Sequence, residues 1–437
     1  LKCGEKKMGF KQFIDDYIKL SGEISIDNEM MNGTLFFAVM GALLNRKGIT
    51  IQYNLSEFSP LIHVLHIQDS RTGKGISLEV MRNFAGSFTE MDEEGEIVEL
   101  LETKIIGDAT DAGLVGIVDP NIHQRNSNKG LLPGDEDFLN PITYGALATK
   151  DLICFPEAEE MFMTGPHKEG RMKTFQLAID GIVSKTLGAS TIEYDCNATI
   201  IGTSYFLKEF EKMVWERGIF QRLYITNLDL TPEQVFERNR KLTKGSGNPS
   251  KKEEVNADLD KLAKKILKVV NNFNSNTILS LNETGEDALL NILDERESYV
   301  LRDFIGKELR LVLSYISAIN VLYVKMGAIA AVLNGRDIIT HEEIEQVDPY
   351  VRLYWKSVVM DILSRIQNRS LEDIRKSIYT MLGNKENKEG LSEKELKNTV
   401  KIKLKCSSRS VNKVVDDMKK NKELLTKKDF VKLNSKR

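Results

Sequence analysis

Leu61–Phe88 reads LIHVLHIQDSRTGKGISLEVMRNFAGSF. Its first seven residues form an apolar run short enough for a buried strand, and LEVMRNFAGSF repeats apolar residues at helical spacing. A strand, a Gly-Lys loop and a helix are the parts of a loop that aims successive backbone N–H groups at phosphate oxygens from the positive end of a helix. The usual pattern, G-x-x-x-x-G-K-[S/T], is altered here: Gln68 stands at the first glycine position, and Gly75 follows Lys74 where Ser or Thr is usual. Ile76 and then Ser77 come next, so the hydroxyl that would meet Mg2+ is missing or displaced. Read alone, Asp69, Ser70, Arg71, Thr72, Gly73, Lys74, Gly75 and Ile76 make either a phosphate cradle or a solvated turn.

Three downstream stretches bear on that choice. DLICFPEAEEMF (Asp151–Phe162) is an apolar run ending in acids, with Glu157 placed to polarise an attacking water and Pro156 where such a strand usually carries a Mg2+-binding Asp. NATIIGTSYF (Asn197–Phe206) is a second apolar run that ends in hydroxyls, with Thr203 or Ser204 beside a terminal phosphate. RGIFQRLYITN (Arg217–Asn227) puts Arg222 just ahead of a strand, where it either reaches a neighbouring subunit's γ-phosphate or sits in a surface ion pair. Each has a bland counterpart in an ordinary strand end; what distinguishes them is that they follow one another in order.

The whole chain sets the frame. Its 437 residues exceed one ordinary core, so two or three domains are expected. A hydrophobic share of 41% with 29% charged residues describes a globular protein, and the net charge of −3 excludes a uniformly basic nucleic-acid coat. The four cysteines, Cys3, Cys154, Cys196 and Cys406, show no metal-ligand spacing and need no disulfide, and the five histidines form no ligand pattern either, so no protein metal centre is expected and a reducing cytosol is the natural setting. LKCGEKKMGF carries no signal-peptide run, and its lack of an initiator Met fits a processed or truncated chain. LVLSYISAINVLYVKMGAIAAVL (Leu311–Leu333) is apolar enough for a membrane span, but Lys325 in its middle and Arg310 at its edge favour a buried helix pair.

Residues 10–45 read as two helices, and the runs LIHVLHI, LVGIV, DLICF, NATIIGTS and RLYIT alternate with helical stretches from 48 to 227, which predicts a mostly parallel sheet covered on both faces. KLTKGSGNPSKKEEVNA (Lys241–Ala257) reads as a flexible loop or linker, and residues 258–367 as helical throughout. Gly335-Arg336-Asp337 makes a turn before a helix capped at Thr340, with Glu343 completing a capping box. The tail is basic: residues 391–437 hold 15 Lys and Arg against 6 Asp and Glu. It reads as an amphipathic helix (LEDIRKSIYTMLG), a short helix capped by Ser392 with Glu395, a third helix from Ser407 or Ser408, and a two-stranded wing (ELLTKKDFVKL). That order is a winged helix-turn-helix, with Arg409, Lys413, Lys419 and Lys420 on the third helix and Lys427 and Lys428 at the wing in position for duplex DNA. A winged helix used for protein contact is the alternative.

With these pieces in order, HIQDSRTGKG, LICFPEAEEMF, FQLAIDGIVSKTLGASTIEYDCNATIIGTSYF, FQRLYI and VKMGAIAAVLNGRDIITHEEIEQVDPYV, the chain resembles the P-loop helicase domains of viral, phage and plasmid replication proteins. Those domains are often fused to a primase and are related in layout to MCM-type AAA+ helicases. The resemblance implies an α/β P-loop NTPase core, with a mostly parallel sheet between helices, followed by an all-α lid and a C-terminal winged helix. The segments are a helical lead-in (1–47), the ATPase core (48–232), a linker and helical connection (233–283), the lid (284–368) and the winged helix (369–437). It implies ATP and Mg2+ as cofactors. It also implies self-association into a ring, with a hexamer as the expected size, around single-stranded DNA in the host cytosol or nucleoid, with a primase as candidate partner and no membrane. Lys74 would contact the β/γ-phosphates, Glu157 would be the catalytic base, Thr203 the sensor and Arg222 a finger in trans. IVSKTLGASTIEY would form a hairpin whose Lys185 touches the DNA backbone inside the ring, unless Lys185 is simply a solvated strand residue. Gln68, Gly75 and Pro156 depart from the family pattern and remove both usual Mg2+ handles, so the resemblance implies nucleotide binding and leaves turnover open. The competing reading is a DNA-binding replication initiator or scaffold whose core binds nucleotide but is weakly active or inactive; a third is a transcription regulator that uses an ATPase fold as an oligomerisation switch.

Overall fold

In the computed structural model the described residues are 8–25, 29–68, 74–107, 111–118, 142–158, 168–187, 190–205, 221–227, 249–303, 306–358, 363–383, 391–404, 408–427 and 430–433, with isolated positions between 218 and 243. The chain forms two compact units, Leu1–Ser357 and Val358–Arg437.

The first unit opens with helices α1 (Phe10–Ile24) and α2 (Glu29–Arg46). α1 buries Phe10, Phe13, Ile14, Tyr17 and Ser21, one stripe at three- and four-residue spacing. α2 is buried on every side from Met31 to Leu44, as a helix that is apolar all round must be. Strands β1 (Thr50–Tyr53), β2 (Ser56–Phe58) and β3 (Val64–Ile67) follow, then α3 (Lys74–Gly86). Tyr17, Phe36, Phe84 and Phe88 pack ring to ring, with centroids 4.7–6.2 Å apart, and join α1, α2 and α3 into one core.

A hairpin of β4 (Thr89–Met91) and β5 (Ile97–Glu99) precedes β6 (Thr103–Ile105). Next come α4 (Asp111–Leu114), β7 (Gly116–Val118), β8 (Ile142–Tyr144), α5 (Ala146–Thr149), β9 (Leu152–Phe155) and α6 (Lys168–Ile179). β10 (Ile182–Leu187) and β11 (Ser190–Asp195) form an antiparallel hairpin, followed by β12 (Thr199–Ser204) and β13 (Tyr224–Asn227). The central sheet is all parallel, in the order β13-β3-β12-β9-β6. β3, β9, β12 and β13 are buried along their whole length, the pattern of parallel strands shielded on both faces.

One expected strand lies elsewhere. LVGIV does not join the parallel sheet: β7 pairs antiparallel with β8. Gly116 adopts φ +120°, and a Cβ there would stand 2.3 Å from the Thr143 carbonyl, so this pairing needs glycine. The fifth parallel strand is β6, a three-residue edge whose partial exposure gives no apolar run to read.

The remainder of the unit is α7 (Pro249–Val270), β14 (Ile278–Leu281), α8 (Glu283–Asp303), α9 (Gly306–Leu333), β15 (Ile338–Ile339) and α10 (His341–Trp355). Three corrections follow. The expected loop over 241–257 is helical from Pro249, where proline's fixed φ and missing N–H suit a first helical position. The expected all-helical stretch is interrupted by β14 and β15, which extend β1 and β2 into a four-stranded sheet in the order β15-β14-β1-β2. The apolar run at 311–333 is part of one continuous 28-residue helix rather than a pair. Within it, Val312–Leu333 is long and apolar enough to cross a membrane, and 67% of its most apolar window is buried inside the protein.

The second unit contains α11 (Leu363–Gly383), β16 (Leu391–Ser392), α12 (Glu393–Leu404), α13 (Ser408–Lys420), β17 (Leu424–Lys427) and β18 (Phe430–Leu433). Its three strands pair in the order β16-β18-β17, and its core is its own, built on Ile378, Leu396, Val400, Val415, Met418 and Val431.

Candidate functional site

The parallel sheet dictates where a ligand can meet several strands at once. β3 exits toward β6, beyond β12 and β9, whereas β12 exits back across β3 to β13. Adjacent strands whose connections leave in opposite directions open a crevice at their carboxyl ends, the usual ligand position in open α/β sheets. Here that crevice lies between β3 and β12.

Backbone bonds gather the sequence pieces there. The Gln68 N–H donates to the Ser204 carbonyl at 2.9 Å, carrying the β3–β12 ladder one step into the loop. The Ala158 N–H donates to the Thr203 carbonyl at 2.9 Å, and the Thr203 hydroxyl donates to the Pro156 carbonyl. The turn that bears Glu157 is thereby tied to the end of β12. Gly202 makes this approach possible: a Cβ there would lie 2.9 Å from Ala158 Cβ and 3.1 Å from Leu65 Cδ1. Glu157 itself is exposed, whereas Thr203 is fully buried and acts through the turn it holds.

Asp69, Ser70, Arg71, Thr72 and Gly73 lie outside the described residues. α3 starts at Lys74, whose side chain is likewise outside them, and continues through Gly75 and Ile76. A Cβ on Gly75 would meet nothing within 4 Å among the described residues. Two polar atoms beside the loop are buried without a hydrogen-bond partner among the described residues: Ser77 Oγ in the first turn of α3, and Asn227 Nδ2 at the end of β13, where Asn227 is in register with Ile67. Sequence reading gave Asn227 no role; a polar residue closing RLYIT, beside a strand that leads into a Gly-Lys loop, is the signal that was there. His66 is structural, with Nδ1 on the Thr226 hydroxyl and Nε2 3.4 Å from that of Thr34.

These features suit a phosphate ligand: a helix start with room beside Gly75 and two buried polar atoms that lack partners, both among the described residues, and one carboxylate, Glu157, at the neighbouring strand end. Among the described residues no group of three or more His, Cys, Asp or Glu could hold a metal by itself. Mg2+ carried by a nucleotide needs few protein ligands, because waters and phosphates fill most of its shell.

Arg222 sits at the other end of the sheet, before β13, where its Nε pairs with Asp180 and its Nη1 donates to the Gly218 carbonyl at 3.2 Å. The carboxyl-end crevice is thus out of its reach within one chain. Lys185 lies on the β10 strand of the hairpin, in register with Ile192, and its side chain is outside the described set.

In the second unit Ser392 caps α12, accepting from the Glu395 N–H at 3.2 Å and donating to its carboxylate at 2.7 Å. Lys413 and Lys420 are exposed on α13, as are Asp416 and Asp417. Lys419 is engaged instead by Glu393 at 2.6 Å, which also holds Lys397 at 2.6 Å; those two lysines keep the Glu393 carboxyl below its ordinary range. Arg409 lies in the first turn of α13 and Lys427 ends β17, both with side chains outside the described set, and Lys428 is outside it altogether.

A scan against protein-family models finds no match for this chain, and a search of the curated proteins finds none either.

Proposed function

We propose that the chain is a nucleotide-driven DNA motor, an ATP-dependent helicase or translocase that works as an oligomeric ring. One observation carries the reading: Gln68 at the end of β3, the Glu157 turn and the Thr203–Ser204 strand end are remote in sequence, yet backbone bonds bring them together at the carboxyl ends of a parallel sheet. In this reading Lys74 and the backbone of 69–76 hold the phosphates, and Ser77 and Asn227 offer polar atoms that have no partner among the described residues. Mg2+ would neutralise charge on the phosphates as the terminal group leaves. Glu157, exposed on its turn, orients the attacking water, and Thr203 sets the position of that turn. Arg222, remote from its own chain's crevice, serves a neighbour's site once its pairing with Asp180 is exchanged. Lys185 on the β10–β11 hairpin contacts the DNA strand, and the second unit works as a winged helix on duplex DNA.

The second reading is a DNA-binding initiator or scaffold with a nucleotide-binding but weakly active core. It is favoured by Pro156, which puts a carbonyl already bonded to Thr203 where a Mg2+-binding carboxylate is usual.

The test is ATP hydrolysis by the purified chain with and without single-stranded DNA. DNA-stimulated turnover that falls by about 10²- to 10³-fold in both Lys74→Ala and Glu157→Gln supports the motor. Nucleotide binding with no turnover in the parent chain supports the scaffold, and no nucleotide binding at all removes both.

A further inference from the structure

The amino ends of β3 and β13, opposite the crevice described above, open on a cavity of about 260 Å3. One wall is the chain leading into β3, including Leu61, Ile62 and His63. Another is the segment before β13, with Gln221, Arg222 and Leu223, and α9 closes the third side with Ala318, Val321, Leu322 and Lys325. Those α9 positions share one helical face.

Among the described residues, Lys325 brings the one charge without an ion-pair partner into this wall. Its ammonium donates to the Leu61 carbonyl at 2.7 Å and stands 5.7 Å from the centre of the Phe58 ring. An ammonium has three donors, and the other two have no partner among the described residues. The wall's one carboxylate, Asp180, is taken by Arg222. His63 is no counter-charge: its Nδ1 accepts the Ile200 N–H at 3.1 Å, its ring also bonds the Ile179 backbone, and burial, aided by the Lys325 charge, lowers its pKa to about 3. Tyr224 and Tyr354, also in the wall, are held neutral by burial. An ammonium buried in this wall with no anion of its own among the described residues is costly to keep, and burial lowers the Lys325 pKa to about 8.

We propose that this cavity binds a small organic monocarboxylate, with its carboxylate on Lys325 Nζ and a short aliphatic body against Ile62, Leu223, Val321 and Leu322. The charge fits one monoanion: among the described residues of the wall Lys325 is the cation without a carboxylate partner, since Arg222 is paired with Asp180, so a single negative charge balances it. The size fits a short body, since the cavity is smaller than the ~300–1,000 Å3 typical of drug-sized sites.

The experiment is calorimetric titration of the full chain with butyrate and hexanoate near pH 7, with hexanol and hexylamine as controls. Saturable one-to-one binding of a carboxylate is expected, weakened about 10- to 100-fold in Lys325→Met. Ala318→Phe fills the cavity while leaving Lys325 in place, and it should abolish binding. Near pH 9 the parent chain should take up a proton on binding, seen as a heat that depends on the buffer's own ionisation enthalpy, because the anion restores the ammonium. Circular dichroism melts establish that each variant is folded; if Lys325→Met is not, Ala318→Phe and the proton uptake decide. Absence of carboxylate binding, undiminished binding in a folded Lys325→Met, or equal affinity for hexanol would each overturn the proposal.

Discussion

Lys325 lies in the middle of Leu311–Leu333 and in the wall of the cavity at the amino ends of β3 and β13. In sequence it interrupts an apolar run and argues against a membrane span. In the fold it is an ammonium held by one backbone carbonyl and an aromatic ring, with its pKa lowered by burial from 10.5 to about 8. Between those values the unfolded chain keeps its proton while the folded chain releases it. The unfolded state binds more protons, so this residue makes stability rise with pH across that window. Urea midpoints measured near pH 7 and near pH 10 should therefore show a gain that Lys325→Met removes, with the variant the more stable of the two near pH 7. A variant that keeps the same pH slope would show that the ammonium is solvated. Gly202 and Thr203 matter at the same scale, one admitting the Glu157 turn and the other fastening it. Neither contact is written in the letters GTS, because both depend on a residue about 45 positions earlier in the chain.

At the scale of elements, local chemistry was legible wherever an element satisfies its own needs. Thr340 caps α10 as its neighbours indicate: the side chain accepts from the Glu342 N–H at 3.2 Å, and Glu343 returns to the Thr340 N–H at 3.0 Å. Burial pushes the Glu343 carboxyl up, but bonds from Thr340 and Asn334 and the nearby Arg336 outweigh it and hold the group below its ordinary range. Thr340→Ala should cost about 1 kcal/mol in denaturant unfolding of the first unit. A change within measurement error would mean that the packing of α10 against α8 and α9 fixes the helix start without the cap. The β10–β11 hairpin and the three helices of the second unit were readable for the same reason. β6, β14 and β15 were not. They are two to four residues long and partly exposed, and their pairing partners lie 49 to 228 positions away in the register. Such strands exist because a neighbour supplies hydrogen bonds, not because their own side chains demand it.

At the scale of the molecule, the second unit carries a complete core of its own, so residues 358–437 are expected to fold alone and melt cooperatively, as many domains of similar size do. Under the DNA-binding reading this fragment should bind duplex with log affinity falling against log salt at a slope of about −3 to −5, one phosphate for each of a few cations. The exposed face of α13 adds a sharper expectation. Lys413 lies in its amino-terminal half, whereas Asp416 and Asp417 lie beyond it, so the amino-terminal half should enter the groove. Lys413→Glu should weaken binding, and Asp416→Asn with Asp417→Asn should strengthen it, as read by fluorescence anisotropy. The opposite response to the aspartate changes would point to a protein partner for this face.

The sequence by itself determined the period of each long element, the alternation that makes an α/β core, the caps at Thr340 and Ser392, and the basic helical tail. These follow from interactions within about four residues, which the order of side chains specifies directly. Only the tertiary structure decided the strand order β13-β3-β12-β9-β6, the placing of LVGIV outside it, the meeting of Gln68, Glu157 and Thr203 at one crevice, and the Lys325 cavity at the opposite end. Those features rest on pairings across tens to hundreds of residues. Many chain orders satisfy the same local patterns, and the one adopted is set by which arrangement buries all the apolar faces together.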